Sequence, residues 1–371
     1  MTQHKSPPWR ILMTLDAVGG VWQYALDLAT GLRQEGCETV FAGFGPKPSA
    51  QQLREAESIG RVVWMRMPLD WMSEEESAVA TVPALIADLA EREGIDLVHL
   101  NVPSQAAGLV ATAPVLVVSH SCVVTWFAAV RGQVVPGAWQ WQARLNRMGF
   151  DRADAVLAPS RSHADLLQTV YGHIAGLDVV YNASRVTDLG LPKKKFVFAA
   201  GRWWDDGKNG AVLDSAARQV DWPVIMAGAS KGPGGQSLAI CNAVAGGELP
   251  HNEAMILLAQ AAIFVSPSLY EPFGLAPLEA ARSGSALVLA DIATYRELWD
   301  GAALFADARD PDAFADIINR LARDPAHRCE LARRARKASR RFSSQYQTHA
   351  MVRHYRRLLS SKIATTAADR P

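Results

Sequence analysis

Two glutamates, Glu271 and Glu279, have seven residues between them in the segment IFVSPSLYEPFGLAPLEAARSGSALVLA. Glu271 stands in a loop-like stretch, and Glu279 lies more than a turn inside helical spacing that begins at Gly274. The first carboxylate can therefore face a ligand above the helix start, and the second can accept hydrogen bonds from a diol such as ribose. The free amides of a helix start, here around Gly274 and Leu275, suit a phosphate group.

The elements around this pair are predicted from apolar runs and turn residues. Residues 263–265 form a short apolar strand, 266–272 a loop, and the helix from Gly274 stops at Gly284 before a second apolar strand at 286–290. In such a unit the loop and the helix start lie at the carboxyl edge of a parallel sheet, where α/β proteins bind ligands.

Two cations, Arg202 and Lys208, lie in the segment GRWWDDGKNG. Arg202 follows a predicted strand at 196–200, and Lys208 precedes a predicted helix that starts near residue 209. An arginine and a lysine beside a helix N-terminus can neutralise the two charges of a nucleoside diphosphate. The alternative is a pair of solvated surface cations.

His120 follows the apolar strand predicted at 115–119 directly, in the sequence VVSH. An imidazole at the carboxyl end of a strand can bond a sugar hydroxyl, and it is expected to titrate near neutral pH. His99 lies inside its own strand and is predicted to be structural.

A glycine pair, Gly19 and Gly20, follows the first predicted strand at 9–15. Glycine at a helix start allows close approach of the backbone to an anion, although a plain turn has the same composition. The loop lacks the G-x-G-x-x-G pattern, which disfavours a nicotinamide dinucleotide site.

The segment SLYEPFGLAPLEAARSG resembles the E-x7-E signature of retaining glycosyltransferases of the GT-B fold, above all glycosyltransferase family 4. The resemblance implies that Glu271 contacts hydroxyls of the donor sugar and that Glu279 binds the nucleotide ribose. It also implies that the backbone at Phe273, Gly274 and Leu275 meets the donor sugar and phosphate.

Further motifs carry the same resemblance. The GRWWDDGKNG segment resembles the family's G-R-x-x-x-x-K-N motif, which implies that Arg202 and Lys208 bind the donor diphosphate. The VVSH segment resembles a strand-histidine motif whose histidine, here His120, contacts the donor sugar.

Three positions are assigned by resemblance alone. Gly20 matches a glycine that approaches the donor phosphate or the acceptor, and Gly228 falls near the nucleotide. Leu249, in the sequence GELP, falls where the family's backbone recognises the base.

Length and composition predict two domains. A chain of 371 residues with 49% hydrophobic residues can form two cores. The resemblance to family 4 implies an α/β fold of the GT-B type, with two Rossmann-like domains facing across a cleft. The first domain is predicted at 1–183 and the second at 184–341, with a C-terminal helix at 342–371 crossing back to the first.

Charge and cysteine content bear on partners and location. A formal net charge of +1 disfavours a nucleic-acid partner, and the four cysteines show no paired spacing, which favours a reducing cytoplasm. The N-terminal residues lack the apolar core of a signal peptide, and no run is long enough for a membrane span. The basic stretch at 320–337 is read as a solvated helix face, with peripheral contact to an anionic membrane as the alternative.

The resulting hypothesis is a retaining hexosyltransferase that needs no metal and no cofactor. Its donor would be a nucleotide-sugar, with UDP favoured over GDP, and its acceptor a saccharide, glycolipid or small molecule. The alternatives are a sugar phosphorylase or nucleotide-sugar epimerase on the same fold, and a catalytically silent nucleotide-sugar-binding subunit.

Overall fold

The computed structural model describes residues 8–368, with side chains up to residue 361. The described chain forms two compact units. One runs up to Ala183 and resumes at Ser344, and the other is Ser184–Ser343. Each unit contains one parallel sheet covered by helices, as the alternation of apolar strands and amphipathic segments predicts.

The sheet of the first unit has seven parallel strands in the described chain, in the order β3-β2-β1-β4-β5-β6-β7. The strands are β1 (Arg10–Asp16), β2 (Glu38–Phe44), β3 (Arg61–Trp64), β4 (Leu97–Leu100), β5 (Val115–Val118), β6 (Ala155–Ala158) and β7 (Leu177–Val179). Alternate side chains enter opposite cores: Ile11 and Met13 pack on one face, and Leu12 packs on the other. Burial on both faces explains why these strands are continuous apolar runs.

Helices connect these strands. They are α1 (Gly20–Gln34), α2 (Ala50–Glu57), α3 (Val82–Arg92), α4 (Val123–Trp126), α5 (Gln140–Arg152) and α6 (Arg161–Tyr171). Local sequence sets several of their starts. Ser160 caps α6 by accepting from the His163 amide at 3.0 Å, and Ser49 forms a reciprocal capping box with Gln52 at α2.

The sheet of the second unit has six parallel strands in the described chain, in the order β10-β9-β8-β11-β12-β13. They are β8 (Lys194–Ala200), β9 (Val224–Ala227), β10 (Val244–Gly247), β11 (Ala261–Ser266), β12 (Ala286–Ala290) and β13 (Leu304–Ala306). The helices are α7 (Gly210–Ala217), α8 (His251–Gln260), α9 (Leu275–Arg282), α10 (Ala293–Trp299), α11 (Pro311–Arg323) and α12 (Pro325–Ser339). The strand–loop–helix–strand unit predicted around Glu271 is β11, α9 and β12, and Gly284 follows α9 with φ of +79°.

The C-terminal helix α13 (Ser344–Ala368) packs against α1 in the first unit, where Tyr355 is fully buried. The sequence predicts this helix from residue 342, but the helix begins at Ser344. Phe342 stays in the second unit because its ring packs edge-on against Phe273, with 5.3 Å between ring centroids. Residues 369–371 of the predicted helix lie outside the described residues. No helix between residues 8 and 368 combines the length and the apolar character of a membrane span.

Both sheets have a point at which the strand order reverses. In the first sheet, β2 and β3 are added on one side of β1, and β4 is then added on the other side. In the second sheet, β9 and β10 are added on one side of β8, and β11 is then added on the other side. The carboxyl ends of the two strands at such a point leave a crevice in which α/β proteins bind ligands. The sequence-predicted residues can therefore be located relative to two edges, one in each unit.

Candidate functional site

Lys208 and Glu271 form an ion pair at the carboxyl edge of the second sheet. Lys208 ends a short 3-10 turn after β8, and Glu271 lies in the loop after β11. Because β8 and β11 are neighbours, their following loops meet, and Nζ of Lys208 bonds Oε1 of Glu271. Ser268 Oγ also donates to Oε1 of Glu271 at 3.3 Å. The exposed fractions of the two charged side chains are 22% and 13%, so the pair is largely screened from water.

Asn209 fixes the turn that carries Lys208. It has a φ of +56° and is the only non-glycine with positive φ in the part of the chain that the structure describes. Its Nδ2 donates to the carbonyls of Pro267 at 2.9 Å and Ala308 at 2.6 Å. These bonds join the loops after β8, β11 and β13. Sequence reasoning assigned Asn209 no role, although asparagine before a helix is a recognisable candidate for the left-handed region.

Arg202 has its own partners at this edge. Its guanidinium lies over the Trp204 ring at 5.5 Å and 3.6 Å from Oδ2 of Asp205. Asp205 in turn accepts a bond from the Gly207 amide at 2.9 Å, which stabilises the turn before Lys208. The Arg202 side chain is 39% exposed, so its guanidinium can reach an anion from solvent.

Gly228 marks a close approach between backbones. It has a φ of +119°, and a Cβ at this position would lie 2.0 Å from the Gly201 carbonyl oxygen. Its amide donates to the Gly247 carbonyl at 2.7 Å. The ends of β8, β9 and β10 are therefore held together by backbone contacts. Leu249 is half-buried in the loop between β10 and α8, two residues beyond Gly247.

Gly274 directly precedes α9 with a φ of +87°, and an added Cβ would lie 3.1 Å from the Tyr295 ring. In the described chain no side chain caps this helix N-terminus, so its first amides are available to an anion. Tyr295 is itself held by a 2.6 Å hydrogen bond to the Ser266 hydroxyl. The glycine at positive φ and the buried tyrosine thus set the path of the chain into α9.

The side chains of the other residues predicted around α9, which are Phe273, Leu275 and Glu279, differ in solvent exposure. The Phe273 side chain is buried against Phe342, so its backbone is the part that can face a ligand. Leu275 is half-buried at the first position of α9, and Glu279 lies in the second turn with an exposed fraction of 8%. The structure brings Lys208 to Glu271, whereas Arg202 makes its ion pair with Asp205.

In the first unit, His120 belongs to a hydrogen-bonded network at the carboxyl ends of β4 and β5. Nε2 of His120 lies 2.9 Å from Oδ1 of Asn101, and Nε2 of His99 lies 3.2 Å from the same oxygen. Nδ1 of His99 lies 2.6 Å from the Tyr355 hydroxyl. The Tyr24 ring packs edge-on against His120 with 4.2 Å between centroids. Asn101 directly follows β4, and no sequence motif assigned it a role.

The expectation that His120 titrates near neutral pH is wrong. Desolvation by the surrounding protein, together with charge repulsion from the neighbouring His99 and His163, lowers the pKa of His120 to about 3. Burial likewise lowers the pKa of His99 to about 4. These histidines are therefore neutral at physiological pH, because the charged forms lose hydration without gaining a carboxylate partner.

Gly20 lies at the same edge of the first sheet. It is the exposed first residue of α1, and Tyr24, one turn later, is the residue that packs on His120. The preceding loop is shaped by Asp16, whose Oδ1 accepts from the Val18 amide at 2.9 Å. The glycine therefore lies within about one helical turn of the ring that contacts His120.

A metal centre is not formed by clustered acidic, histidine or cysteine side chains among residues 8–368. The polar groups described above are the ones that could bind a ligand at the carboxyl edges of the two sheets. The second unit offers the cations Arg202 and Lys208, the carboxylates Asp205, Glu271 and Glu279, and the first amides of α9. The first offers two neutral imidazoles and a glycine-rich helix start.

Two family models match the chain. The model described as Glycosyltransferase Family 4 matches residues 18–184, and the model described as Glycosyl transferases group 1 matches residues 242–341. Among curated proteins, the glycogen synthase of Mycobacterium tuberculosis is 37% identical over 102 residues, which cover 27% of this chain and 24% of that protein. The match thus spans about a quarter of the length of this relative.

Solved structures match over nearly the whole chain. A sucrose-phosphate synthase from Thermosynechococcus elongatus has a TM-score of 0.77 at 16% identity, covering 95% of this chain and 100% of that chain. Anabaena HepE, solved in complex with UDP and glucose, has a TM-score of 0.73 at 18% identity, covering 93% of this chain and 99% of that chain. These similarities establish the fold, which is GT-B. The chain belongs to the GT-B glycosyltransferases, with a family 4 domain followed by a group 1 domain.

Proposed function

We propose that this protein transfers a hexose-type sugar from a nucleoside diphosphate donor to an acceptor hydroxyl, with retention of the anomeric configuration. The observation that carries the proposal is the Lys208–Glu271 ion pair at the carboxyl edge of the second sheet. Arg202 lies nearby in sequence with its guanidinium accessible to solvent, and the amides of α9 begin four residues beyond Glu271.

Recognition of the donor follows from these groups. Lys208 and Arg202 neutralise the diphosphate, with the first amides of α9 as further donors. Glu271, already shared between Lys208 and Ser268, accepts hydrogen bonds from sugar hydroxyls through its remaining lone pairs. Glu279 accepts from the ribose, and the backbone around Leu249 contacts the base.

In the proposed reaction, the bond between the anomeric carbon and the β-phosphate oxygen breaks, and a bond from the acceptor oxygen to that carbon forms on the same face. The acceptor proton passes to the departing β-phosphate. Charge accumulates on the diphosphate in the transition state, where preorganised cations stabilise it most. Because Arg202 and Lys208 supply this positive charge, we propose that the transfer proceeds without a divalent metal ion.

UDP-glucose is the first donor to test. Anabaena HepE has the same fold and has been solved with UDP and with UDP-glucose, which supports a UDP-sugar over a GDP-sugar. The curated relative named glycogen synthase supports an acceptor that is itself a saccharide and a role in polysaccharide biosynthesis. We propose a cytoplasmic enzyme, and a glycolipid acceptor would place it at the inner face of a membrane.

The donor site can be tested by thermal unfolding with UDP, GDP, ADP and their sugar conjugates. A ligand that binds only the folded state raises the melting temperature. We expect a shift with one nucleotide family that is lost in Glu279→Ala and Arg202→Ala. The matched control is Arg218→Ala, since Arg218 is exposed at the end of α7 in the same unit. Equal shifts in all variants would show that the nucleotide binds elsewhere.

The reaction can be tested with the donor so identified and a panel of saccharide acceptors. Transfer with a product of the donor's anomeric configuration supports the proposal, and an inverted product contradicts retention. Conversion of the donor alone would indicate an epimerase, and turnover that requires inorganic phosphate would indicate a phosphorylase. Binding without turnover on any acceptor would indicate a silent subunit.

A further inference from the structure

Asn101 lies between two imidazoles that share its side-chain oxygen. It follows β4 directly, and β4 pairs with β1 on one side and with β5 on the other. Its amide hydrogen bonds Oγ1 of Thr14 at 2.8 Å, and its Nδ2 donates to the Thr14 carbonyl at 2.5 Å. Its exposed fraction is 3%, so water does not compete for these bonds.

The Thr14 carbonyl decides which way the Asn101 amide points. A carbonyl oxygen only accepts hydrogen bonds, so the atom of Asn101 facing it must be the NH₂ group. The reverse orientation would place two acceptor oxygens 2.5 Å apart. Oδ1 therefore faces Nε2 of both His99 and His120, and its two lone pairs match these two neighbours in number.

The oxygen in turn decides the tautomer of each ring. Oδ1 cannot donate, so both histidines must carry a proton on Nε2. For His99 this leaves Nδ1 as an acceptor, and the Tyr355 hydroxyl fills that role at 2.6 Å. For His120 it leaves a lone pair on Nδ1. Both rings are neutral, as burial lowers the pKa of His99 to about 4 and that of His120 to about 3.

We propose that Asn101 is a positioning residue that holds His120 in its Nε2–H tautomer, so that Nδ1 of His120 accepts a hydrogen bond from a sugar hydroxyl. This inference rests on the transfer reaction proposed above for the identity of the hydroxyl. The assignment of the tautomer itself depends only on the network in the first unit.

The role of Tyr355 supports the direction of the network. Its hydroxyl donates to His99, His99 donates to Asn101, and Asn101 donates to the backbone of β1, so each of these three donor groups faces an acceptor. The Tyr355 side chain is fully buried on α13, and burial raises its pKa well above the ordinary value. Tyr355 therefore remains a donor, which keeps His99 from reversing its tautomer.

The tautomer can be read by long-range ¹H–¹⁵N correlation spectra of the full chain labelled at its nine histidines. Signals of His99 and His120 are assigned from His99→Gln and His120→Gln. We expect the Nε2–H pattern for His120 in the unmodified protein. In Asn101→Leu we expect this pattern to be replaced by a tautomer mixture. Asn146→Leu is the matched control, because Asn146 is equally buried and bonds Tyr171 rather than a histidine.

Kinetics then test which ring nitrogen of His120 bonds the sugar hydroxyl. An asparagine at position 120 places its amide near the position of Nδ1, whereas a glutamine places it near Nε2. We expect His120→Asn to retain at least tenfold more kcat/KM than His120→Gln, and Asn101→Leu to lose at least tenfold in kcat/KM through a higher KM for a sugar substrate. This comparison remains informative if Asn101→Leu fails to fold.

The outcomes separate the two proposals. An Nδ1–H pattern for His120 in the unmodified protein overturns the inference, as does an unchanged pattern and activity in Asn101→Leu. A higher kcat/KM for His120→Gln than for His120→Asn also overturns it. An Nε2–H pattern that depends on Asn101, in a protein that transfers no sugar, supports the positioning of the ring and contradicts the proposed function.

Discussion

The carboxyl edges of the two sheets use opposite electrostatics. In the second unit, Lys208 and Glu271 are charged partners, and Arg202 is balanced by Asp205. In the first unit, His99 and His120 are kept neutral and are bonded to an uncharged amide. One edge is suited to a diphosphate, whose charge must be met, and the other to hydroxyl groups, whose orientation must be set.

The difference shows how burial acts on each kind of group. A buried cation is stable when a carboxylate shares its environment, and the Lys208–Glu271 pair satisfies that condition. A buried histidine without a carboxylate partner instead loses its proton, and its hydrogen bonds then depend on the tautomer. The charged edge is therefore sensitive to charge removal, and the neutral edge to changes in hydrogen-bond geometry and pH.

Removal of the Lys208 charge should have the largest effect. Loss of one preorganised donor to a developing oxyanion typically lowers turnover by about 100- to 1,000-fold, and we expect such a loss of kcat/KM in Lys208→Met. Lys195→Met is the control, because Lys195 is exposed near the amino end of the same strand β8. Equal losses in both variants would contradict a specific role for Lys208 and the view that the edge of the second sheet depends on its charges.

Gly228→Ala should disturb the charged edge through its backbone. The added Cβ would lie 2.0 Å from the Gly201 carbonyl oxygen, and the alanine would have to adopt a φ of +119°. Such strain costs about 1–3 kcal/mol in the free energy of unfolding before the clash is counted. Gly137→Ala is the control, since its Cβ would have no heavy atom within 4 Å. Chemical denaturation of both variants measures the difference, and a Gly228→Ala protein as stable as Gly137→Ala would contradict the close approach.

A lower pH should reduce the stability that neutral His99 contributes to the first unit. His99 has a folded pKa of about 4 against an ordinary value of 6.5, so between these values the unfolded chain binds a proton that the folded chain does not. The stability from neutral His99 is complete above pH 6.5 and declines toward pH 4, by at most about 1.4 kcal/mol per pH unit.

Urea unfolding at pH 7, 6 and 5 measures this dependence in the unmodified protein and in His99→Gln. We expect the stability difference between the two proteins to shrink as the pH falls, because glutamine takes up no proton. A difference that stays constant over this range would show that His99 titrates normally and would weaken the contrast between the edges.

Trp204→Leu should have the smallest effect. Trp204 holds the Arg202 guanidinium at 5.5 Å, and a cation–π contact at a partly exposed site contributes about 0.5–1 kcal/mol. We expect the donor KM to rise about two- to fivefold, with kcat little changed. Trp222→Leu is the control because it removes a similar contact with Arg328 in the same unit. A larger loss with Trp222→Leu would show that the effect comes from packing.

Much of the second unit was predictable because its motifs are local. The order of β11, α9 and β12 follows from an apolar run, a glycine start and a glycine stop within thirty residues. The fold class followed from the alternation of strands and helices. Asn209 escaped prediction because its bonds reach Pro267 and Ala308, which are distant in sequence.

The first unit was less predictable at the level of chemistry. His120 was chosen from its place after a strand, and the structure keeps it at that edge. The protonation expected for it was wrong, since a pKa depends on the groups that fold around the ring. Asn101 donates its bonds to Thr14, which is 87 residues away, and His99 receives its bond from Tyr355, which is 256 residues away.

The sequence alone determined the two α/β sheets, the family motifs and the identity of the charged residues, because apolar periodicity, glycine positions and residue types are local properties of the chain. Only the tertiary structure decided that Lys208 is paired with Glu271, that His120 is neutral, and that one Asn101 oxygen bonds both His99 and His120. These features arise from desolvation and from contacts between residues distant in the chain, and neither exists before the sheets are assembled.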